Sequence, residues 1–487
     1  MCGCVEEGKI AMPATLEDLR ETLTAASGAV SLVPKIIDRL LLEYVRKYSP
    51  LYKAIPRKTW LTDTYYFNQR NALPPAQFTT EAPSTTDVAA GQSNYVQNKF
   101  LIKHLQSQID VSTFAAKVAI VNGNLFDLEL SGAAKAMMWL EAMAHLWGSA
   151  AATLNTKRPQ WDGLDVQLGT SSQNKLDAGN AALTLQMLDS TIDAVKTVVA
   201  EELDSNWFFL LTPKMQSRLN GLFVAQQRFN EGLTKIFSRD DYGIPGAVVG
   251  DNMLAADAGF EVQTYRGIPL VFSSFLSSQG TMGAITTVDG GGSGSQLANQ
   301  AYYYMLEAVT QYGISVASAE ANVTPTAGHN VTVSWSTPTI TDVFGNTIPI
   351  LSYRLFRSNA ASNASGTESL YAIIPAKDGS DNPVTSFSDT GIPSTSSSLF
   401  ATYATQSAGA AAAPDGVTFP RTTSTTEDIF LVPRDPEYML VAVVNEIQSQ
   451  MLAPVNARTR QFALTSDMAL ALRAPFFGAK LGRVKTA

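Results

Sequence analysis

Cysteine, histidine and charge are all scarce in this chain, and each scarcity excludes something. Only Cys2 and Cys4 are present among 487 residues. With one residue between them a mutual disulfide would be strained, so no disulfide framework exists and nothing requires an oxidising compartment. The three histidines, His104, His145 and His329, fall on a predicted strand, a helix and a loop. No two have metal-ligand spacing and no Cys–His cluster exists. Charged residues are 16% of the chain, against roughly a quarter in ordinary domains. Either of two alternatives would account for this: a Ser/Thr/Ala-rich surface, or extensive burial in subunit contacts, whose centres are depleted in charge. The formal net charge of −8 argues against a chain built mainly to bind nucleic acid, though not against one that encloses it.

Long hydrophobic runs and catalytic signatures are missing as well. No stretch offers about 18 uninterrupted apolar residues, so no membrane span is expected. The opening MCGC is not followed by the apolar run of a secretory signal, and Met12 is an alternative start. There is no GxSxG elbow, P-loop or dinucleotide fingerprint. The glycine run at 290–294 lacks a preceding strand and a following lysine. The adjacent acids Asp240-Asp241 and Glu201-Glu202 read as solvated surface. No catalytic, cofactor-binding or metal residue is assigned, and the chain is not expected to be an enzyme.

What is present is a sequence of well-marked elements. Residues 14–25 and 34–47 read as short helices, the second with Pro34 at its first position. Thr64 to Asn68 and 98–111 read as strands flanking a Pro-rich excursion over 71–91. Long ordered loops of this kind are usually functional. In 124–152, Phe126, Leu130, Ala133, Met137, Leu140, Ala144 and Trp147 recur at spacings of three and four, which predicts a long amphipathic helix. Residues 183–203 predict another, with Leu185, Leu188, Ile192, Val195 and Val199 on one face. The continuous apolar run 207–211 (WFFLL) predicts a buried strand. Thr212 and Pro213 then make an N-cap and first residue for a following helix. Arg266-Gly267 reads as a turn entering a strand, and 427–432 as a strand.

Two tracts punctuate the second half: a Gly/Ser-rich one within 278–298 and a Ser/Ala/Thr-rich one over 392–426. By composition both read as linkers. The bracketed segment, 299–391, has strand chemistry throughout, with short alternating runs separated by Gly, Pro, Asn and Asp. That predicts a β-sandwich with Tyr304, Leu306, Trp335 and Tyr353 in its core. VTVSW at 331–335, YRLFRS at 353–358, FSDTG at 387–391 and YYYMLEAVTQYG at 302–313 resemble strands of a fibronectin type III or immunoglobulin-like module. The strands resembling the module's last pair come first, so a circularly permuted sandwich is expected; an ordinary sandwich plus an unrelated hairpin is the alternative.

Outside that segment the chain resembles the tailed-bacteriophage major capsid family, the Hong Kong phage fold that encapsulin shells also use. The local matches are PLYKAIPRKTWLTDTYYFNQRNALPPAQFTTEA at 50–82, MMWLEAMAHLWGSAA at 137–151, TPKMQSRLNGLFVAQQRFN at 212–230 and TYRGIPLV at 264–271. The resemblance implies an α+β fold. Its parts would be an N-terminal arm (1–60), an extended loop with flanking strands (61–110), and a peripheral domain with a spine helix (111–179). An axial domain would follow (180–298 and 392–455), interrupted by the sandwich, and the chain would finish with a peripheral strand (456–487). It implies a shell subunit whose extended loop, through Phe67, Pro74, Pro75, Phe78 and Glu81, contacts a neighbouring copy. The implied partners are further copies of itself in hexamers and pentamers, enclosed double-stranded DNA held without sequence-specific contacts, and a separate scaffolding, portal or decoration protein. The implied location is the virion shell, assembled in the host cytoplasm. Some related shells lock this loop with a Lys–Asn isopeptide bond; no lysine lies between Asn71 and Asn98, so no such crosslink is expected. An encapsulin-type compartment and an immunoglobulin-domain tail or adhesion protein are the alternatives. On the capsid reading the sandwich projects outward, and excising 299–391 would leave assembly intact.

Overall fold

The computed structural model describes residues 51–74, 76, 78, 92–112, 125–150, 159–168, 174–231, 263–276, 280–292, 297–342, 345–358, 368–391, 426–452 and 459–485. The helices expected over 14–25 and 34–47 lie outside these residues, as does nearly all of the tract 392–426. The chain passes through a helical turn (Leu51–Ala54), β1 (Arg57–Thr59), β2 (Thr64–Ala72), β3 (Asn94–Leu101), β4 (Lys103–Ser112), α1 (Leu125–Trp147) and α2 (Leu164–Leu168). It continues with β5 (Lys175–Asp177), α3 (Leu185–Val199), β6 (Trp207–Leu211), α4 (Pro213–Glu231), β7 (Thr264–Tyr265), β8 (Ile268–Phe272) and β9 (Ile285–Asp289). Then come β10 (Tyr302–Thr310), β11 (Gly313–Ile314), β12 (Ala321–Val323), β13 (Val331–Trp335), β14 (Ile350–Ser358), β15 (Glu368–Pro375) and β16 (Ser386–Asp389). The last strands are β17 (Thr426–Pro433), β18 (Met439–Met451), β19 (Thr459–Leu472) and β20 (Ala479–Lys485). The fold is α+β. Among the described residues no helix is long and apolar enough to cross a membrane.

Two sheets share α1. One has four strands in the order β1-β18-β19-β4; the other is mixed, in the order β5-β20-β17-β6-β8-β7. β6 explains why its sequence is apolar at every position. Phe208 and Leu210 enter the core that holds α1, while Trp207, Phe209 and Leu211 enter the core that holds α3 and α4. A strand covered on both faces has no solvent side to alternate with. β17 does the same with Phe430 and Val432 on one side and Ile429 and Leu431 on the other. The same logic corrects α1. Its residues from Met137 onward are buried nearly all round, including Trp139, Ala142 and Met143 off the expected stripe, because this half packs in one core with residues of both sheets.

α1 also stops at Trp147, five residues short of the expected end. A side chain on Gly148 would meet the carbonyl oxygens of Ala144 and Trp161 at 2.5 and 2.6 Å. The segment 160–163 runs so close that it replaces the next helical turn: Gly163 N donates to Gly148 O at 2.8 Å, and Ala150 N donates to Asp162 Oδ1 at 2.7 Å. At α4 the expected N-cap forms, with Met215 N donating to Thr212 Oγ1 at 3.2 Å. Thr212 also donates to the buried Glu427 carboxylate.

The third unit is a sandwich. A three-stranded sheet, β16-β13-β9, faces a sheet ordered β11-β10-β14-β15 with β12 beside β10. Tyr304, Leu306, Trp335 and Tyr353 lie in the cluster between them. Tyr302–Thr310 runs inside the sandwich, antiparallel to β14. One boundary differs from expectation. The tract 278–298 is not all linker, since β9 pairs with β13 from Ile285↔Trp335 to Asp289↔Val331. Glycine-rich flanks mask a strand only five residues long. A second difference lies at the C-terminus: β20 sits between β5 and β17 in the mixed sheet, whereas β18 and β19 belong with β4 beside α1. The final strand therefore joins the sheet of β6, while 439–451 and 459–472 join the helix-backed sheet.

Candidate assembly surface

The β2–β3 hairpin carries the most exposed apolar surface among the described residues. Register runs from Thr64↔Leu101 to Ala72↔Asn94, with an irregularity between Arg70 and Ala72. Side chains alternate between two faces, so every second residue shares an environment. On the inner face Tyr65 is buried and Phe67 is half-buried, packed with Phe100 against Leu440, Ala442 and Ala471. Trp60 meets Tyr65 edge-on at 4.7 Å, and Phe67 stacks on Phe100 at 5.8 Å. The Arg473 guanidinium lies 5.3 Å from the Tyr65 ring centre and donates to its hydroxyl. These contacts fix the base of the ribbon. Asn98 Nδ2 donates to Gln69 Oε1 at 2.8 Å across the strands.

The outward face of the base and the described residues beyond it have no such support. Tyr66, Leu73, Phe78, Tyr95, Val96 and Leu101 are exposed. Pro74 is exposed too, past the last paired residues, while Pro75 and Glu81 fall outside the described residues. Phe67, half-buried, faces its own sheet and helps hold the hairpin down. Tyr66, paired with Lys99, and Tyr95, paired with Arg70, lie on the opposite face and are the exposed counterparts that strand alternation alone could have separated from it.

Two grooves adjoin this region. One, of about 610 Å³, runs beneath the hairpin between Phe100 and Trp161 and includes Lys99, Lys103 and Arg473. The other, of about 540 Å³, lies between α1 and the sandwich.

The sandwich itself is not loosely tethered. Val309, Ile314, Tyr312 and Leu351 pack into the core that holds α1. Tyr312 meets Trp139 at 5.9 Å. From the same side of β14, Arg354 Nη2 reaches Asp165 Oδ2 at 2.5 Å and lies 5.5 Å from the Trp147 ring centre. Asp165 also accepts from Lys480, whose ammonium is 3.0 Å from Asp428. All four charged side chains are buried. Burial pushes the Asp165 carboxyl up, but Arg354, Lys480 and Lys175 outweigh it and hold the group well below the ordinary carboxylate range. Excising 299–391 would strip β13 from β9, expose Val309 partners and remove Arg354, so the expectation that the segment is dispensable does not fit this packing.

Inside the sandwich a second buried charge joins the two sheets. Asp389, at the end of β16, accepts from Arg357 Nη1 at 2.9 and 2.7 Å, Tyr304 at 2.8 Å and Tyr371 at 2.7 Å. Burial, then the Asp389 charge, pushes both phenols well above their ordinary value, so both stay protonated donors. The histidines each meet a carboxylate: His104 with Asp467 at 2.6 Å, His145 with Glu141 at 3.1 Å and His329 with Asp289 at 2.8 Å. Among the described residues no three His, Cys, Asp or Glu side chains are grouped to hold a metal ion.

No family model and no curated protein matches the chain. Among solved structures, the capsid of a native GTA particle aligns at 8% identity over 95% of this chain and 98% of that one, with a TM-score of 0.46. A structure from Gordonia phage Cozz aligns at 8% identity over 99% and 98%, with a TM-score of 0.45. The holo-SrpI encapsulin complex from Synechococcus elongatus PCC 7942 aligns at 10% identity over 94% and 95%, with a TM-score of 0.39.

Proposed function

We propose that this chain is the major capsid subunit of a tailed bacteriophage, a structural protein that assembles into a closed shell around double-stranded DNA. The observation that carries the reading is the β2–β3 ribbon. Nine residues at about 3.4 Å each extend it by roughly 30 Å. A two-stranded ribbon is marginal in water on its own, yet this one, anchored at its base, leaves Tyr66 and Tyr95 on its outward face and Leu73 and Phe78 past it uncovered. A surface on another copy supplies the missing cover. Such a contact joins two different patches, and repeated by rotation it closes into rings. The helix-backed sheet and the mixed sheet on either side of α1 supply the rigid body that a shell subunit needs. The net charge of −8 suits enclosing DNA without sequence-specific contacts.

On this reading the sandwich is a permuted immunoglobulin or fibronectin type III-like insertion. Its support is the order in which β10 precedes β13 and β14 along the chain while lying beside β14 in the sheet. The ribbon makes the assembly claim testable. Replacing 73–93 with an Asn-Gly turn, which suits a two-residue hairpin, should leave a folded chain that sediments as a monomer. The unaltered chain should sediment as large particles. Particles of unchanged size from the shortened chain would remove the ribbon from assembly.

A further inference from the structure

The ribbon of β2 and β3 lies against the four-stranded sheet as a separate sheet of two strands. It is tied to the larger sheet where it begins and ends. Trp60 follows β1 directly, and Ile102 alone separates β3 from β4. Trp60 N donates to Val443 O at 2.8 Å, its indole N–H donates to Thr64 O at 3.0 Å, and Ile102 N donates to Asp63 O at 2.9 Å. These bonds make a pivot. They fix where the ribbon starts and leave open the angle at which it continues.

The apolar seat beneath the ribbon does not set that angle by itself. Leu440, Ala442 and Ala471 pack with Tyr65, Phe67 and Phe100, and burial of apolar surface has no preferred direction. Arg473 supplies direction. It follows β19, its N–H held by Tyr438 O at 2.7 Å. Its guanidinium lies 5.3 Å from the Tyr65 ring centre and 5.9 Å from that of Phe67. It donates to the Tyr65 hydroxyl and, at 3.4 Å, to Glu437 O in the turn between β17 and β18. A guanidinium is planar, with its donors in fixed directions. One side chain thus ties Tyr65 and Phe67, both past the pivot, to the body of the subunit. From Phe67 to the end of β2 at Ala72 the strand runs a further 17 Å or so, about 3.4 Å per residue. Over that length a tilt of roughly 10° at the base moves the end by about 3 Å.

We propose that Arg473 is a positioning residue for assembly: it sets the angle at which the ribbon leaves the subunit, and through that angle the curvature of the shell. The role rests on the shell reading above. Rings close only at particular rotations between copies, so a lever of this length passes a small error at its base to the neighbouring subunit. The apolar seat holds the ribbon down, and Arg473 aims it.

Arg473→Met in the full-length chain keeps an apolar stem under the two rings and loses the fork. Its subunits should melt within about 4 °C of the unaltered chain. The amides of 64–72 and 94–101 should exchange roughly tenfold faster before assembly. Its shells should show a broadened or displaced range of diameters in electron micrographs, where the unaltered chain gives one. Arg473→Lys restores a cation over the rings without the fork and should recover part of the exchange protection. Tyr65→Phe removes a single hydroxyl and should move exchange and diameter in the same direction as Arg473→Met; it carries the test if Arg473→Met does not fold. Shells of one unchanged diameter, or unchanged exchange in the ribbon, would overturn the role of Arg473 while leaving the shell reading standing. If the unaltered chain gives no shells, the shell reading fails, and exchange in the soluble chain still decides whether Arg473 holds the ribbon.

Discussion

Asp165→Ala is expected to destabilise the chain by about 3–5 kcal/mol, the usual consequence of removing one partner from a buried ion cluster. The loss is large because Arg354 and Lys480 stay buried without the carboxylate they share. Arg354→Met should cost less, since Asp165 keeps Lys480 and the methionine fills part of the space. The two substitutions also differ in pH response. Asp165 has a folded-state pKa depressed below its ordinary 3.8. Its contribution is therefore fully present above that value and is lost as pH falls through the acid range below about 4. Thermal melting from pH 7 to pH 2.5 should show a steep acid decline for the unaltered chain and a shallower one for Asp165→Ala. Equal slopes would mean that the cluster contributes little to folding.

Asp389→Ala is expected to have an effect of similar size, about 3–5 kcal/mol, but at a different place. Asp389 takes hydrogen bonds from one arginine and two tyrosines that span both sheets of the sandwich. Without it, Arg357 is a buried cation and the Tyr304 and Tyr371 hydroxyls lose their acceptor. The sandwich should loosen first, so limited proteolysis should cut within 299–391 before it cuts the helix-backed sheet. Asp389→Asn keeps acceptor capacity for the tyrosines but leaves Arg357 uncompensated, and should fall between the alanine variant and the unaltered chain. Simultaneous cleavage of all units in Asp389→Ala would contradict a local role.

These two clusters also mark the limit of what the sequence makes legible. Local chemistry is plain in it. WFFLL becomes a doubly covered strand, Thr212-Pro213 starts a helix, and the alternation around Tyr304 and Trp335 points those side chains into one core. Each depends on residues a few positions apart. Asp165, Arg354 and Lys480 are separated by 189 and 315 positions, and no periodicity connects them. Composition also misleads where a short strand hides among glycines, as at Ile285–Asp289. The early end of α1 depends on a distant approach by Trp161 to Gly148, which helix propensity cannot register. Within the assembly surface, the exposed tip is visible as a Pro-rich excursion. The division of the hairpin into an anchoring face with Phe67 and an outward face with Tyr66 and Tyr95 needs the register and the sheet beneath it.

The most direct test of the central claim is electron microscopy of the full-length chain produced alone or with a scaffolding protein. The account predicts closed shells of uniform diameter built from rings of five and six subunits, with the hairpin of each copy lying across its neighbour. A monodisperse monomer or an open fibre under both conditions would contradict it.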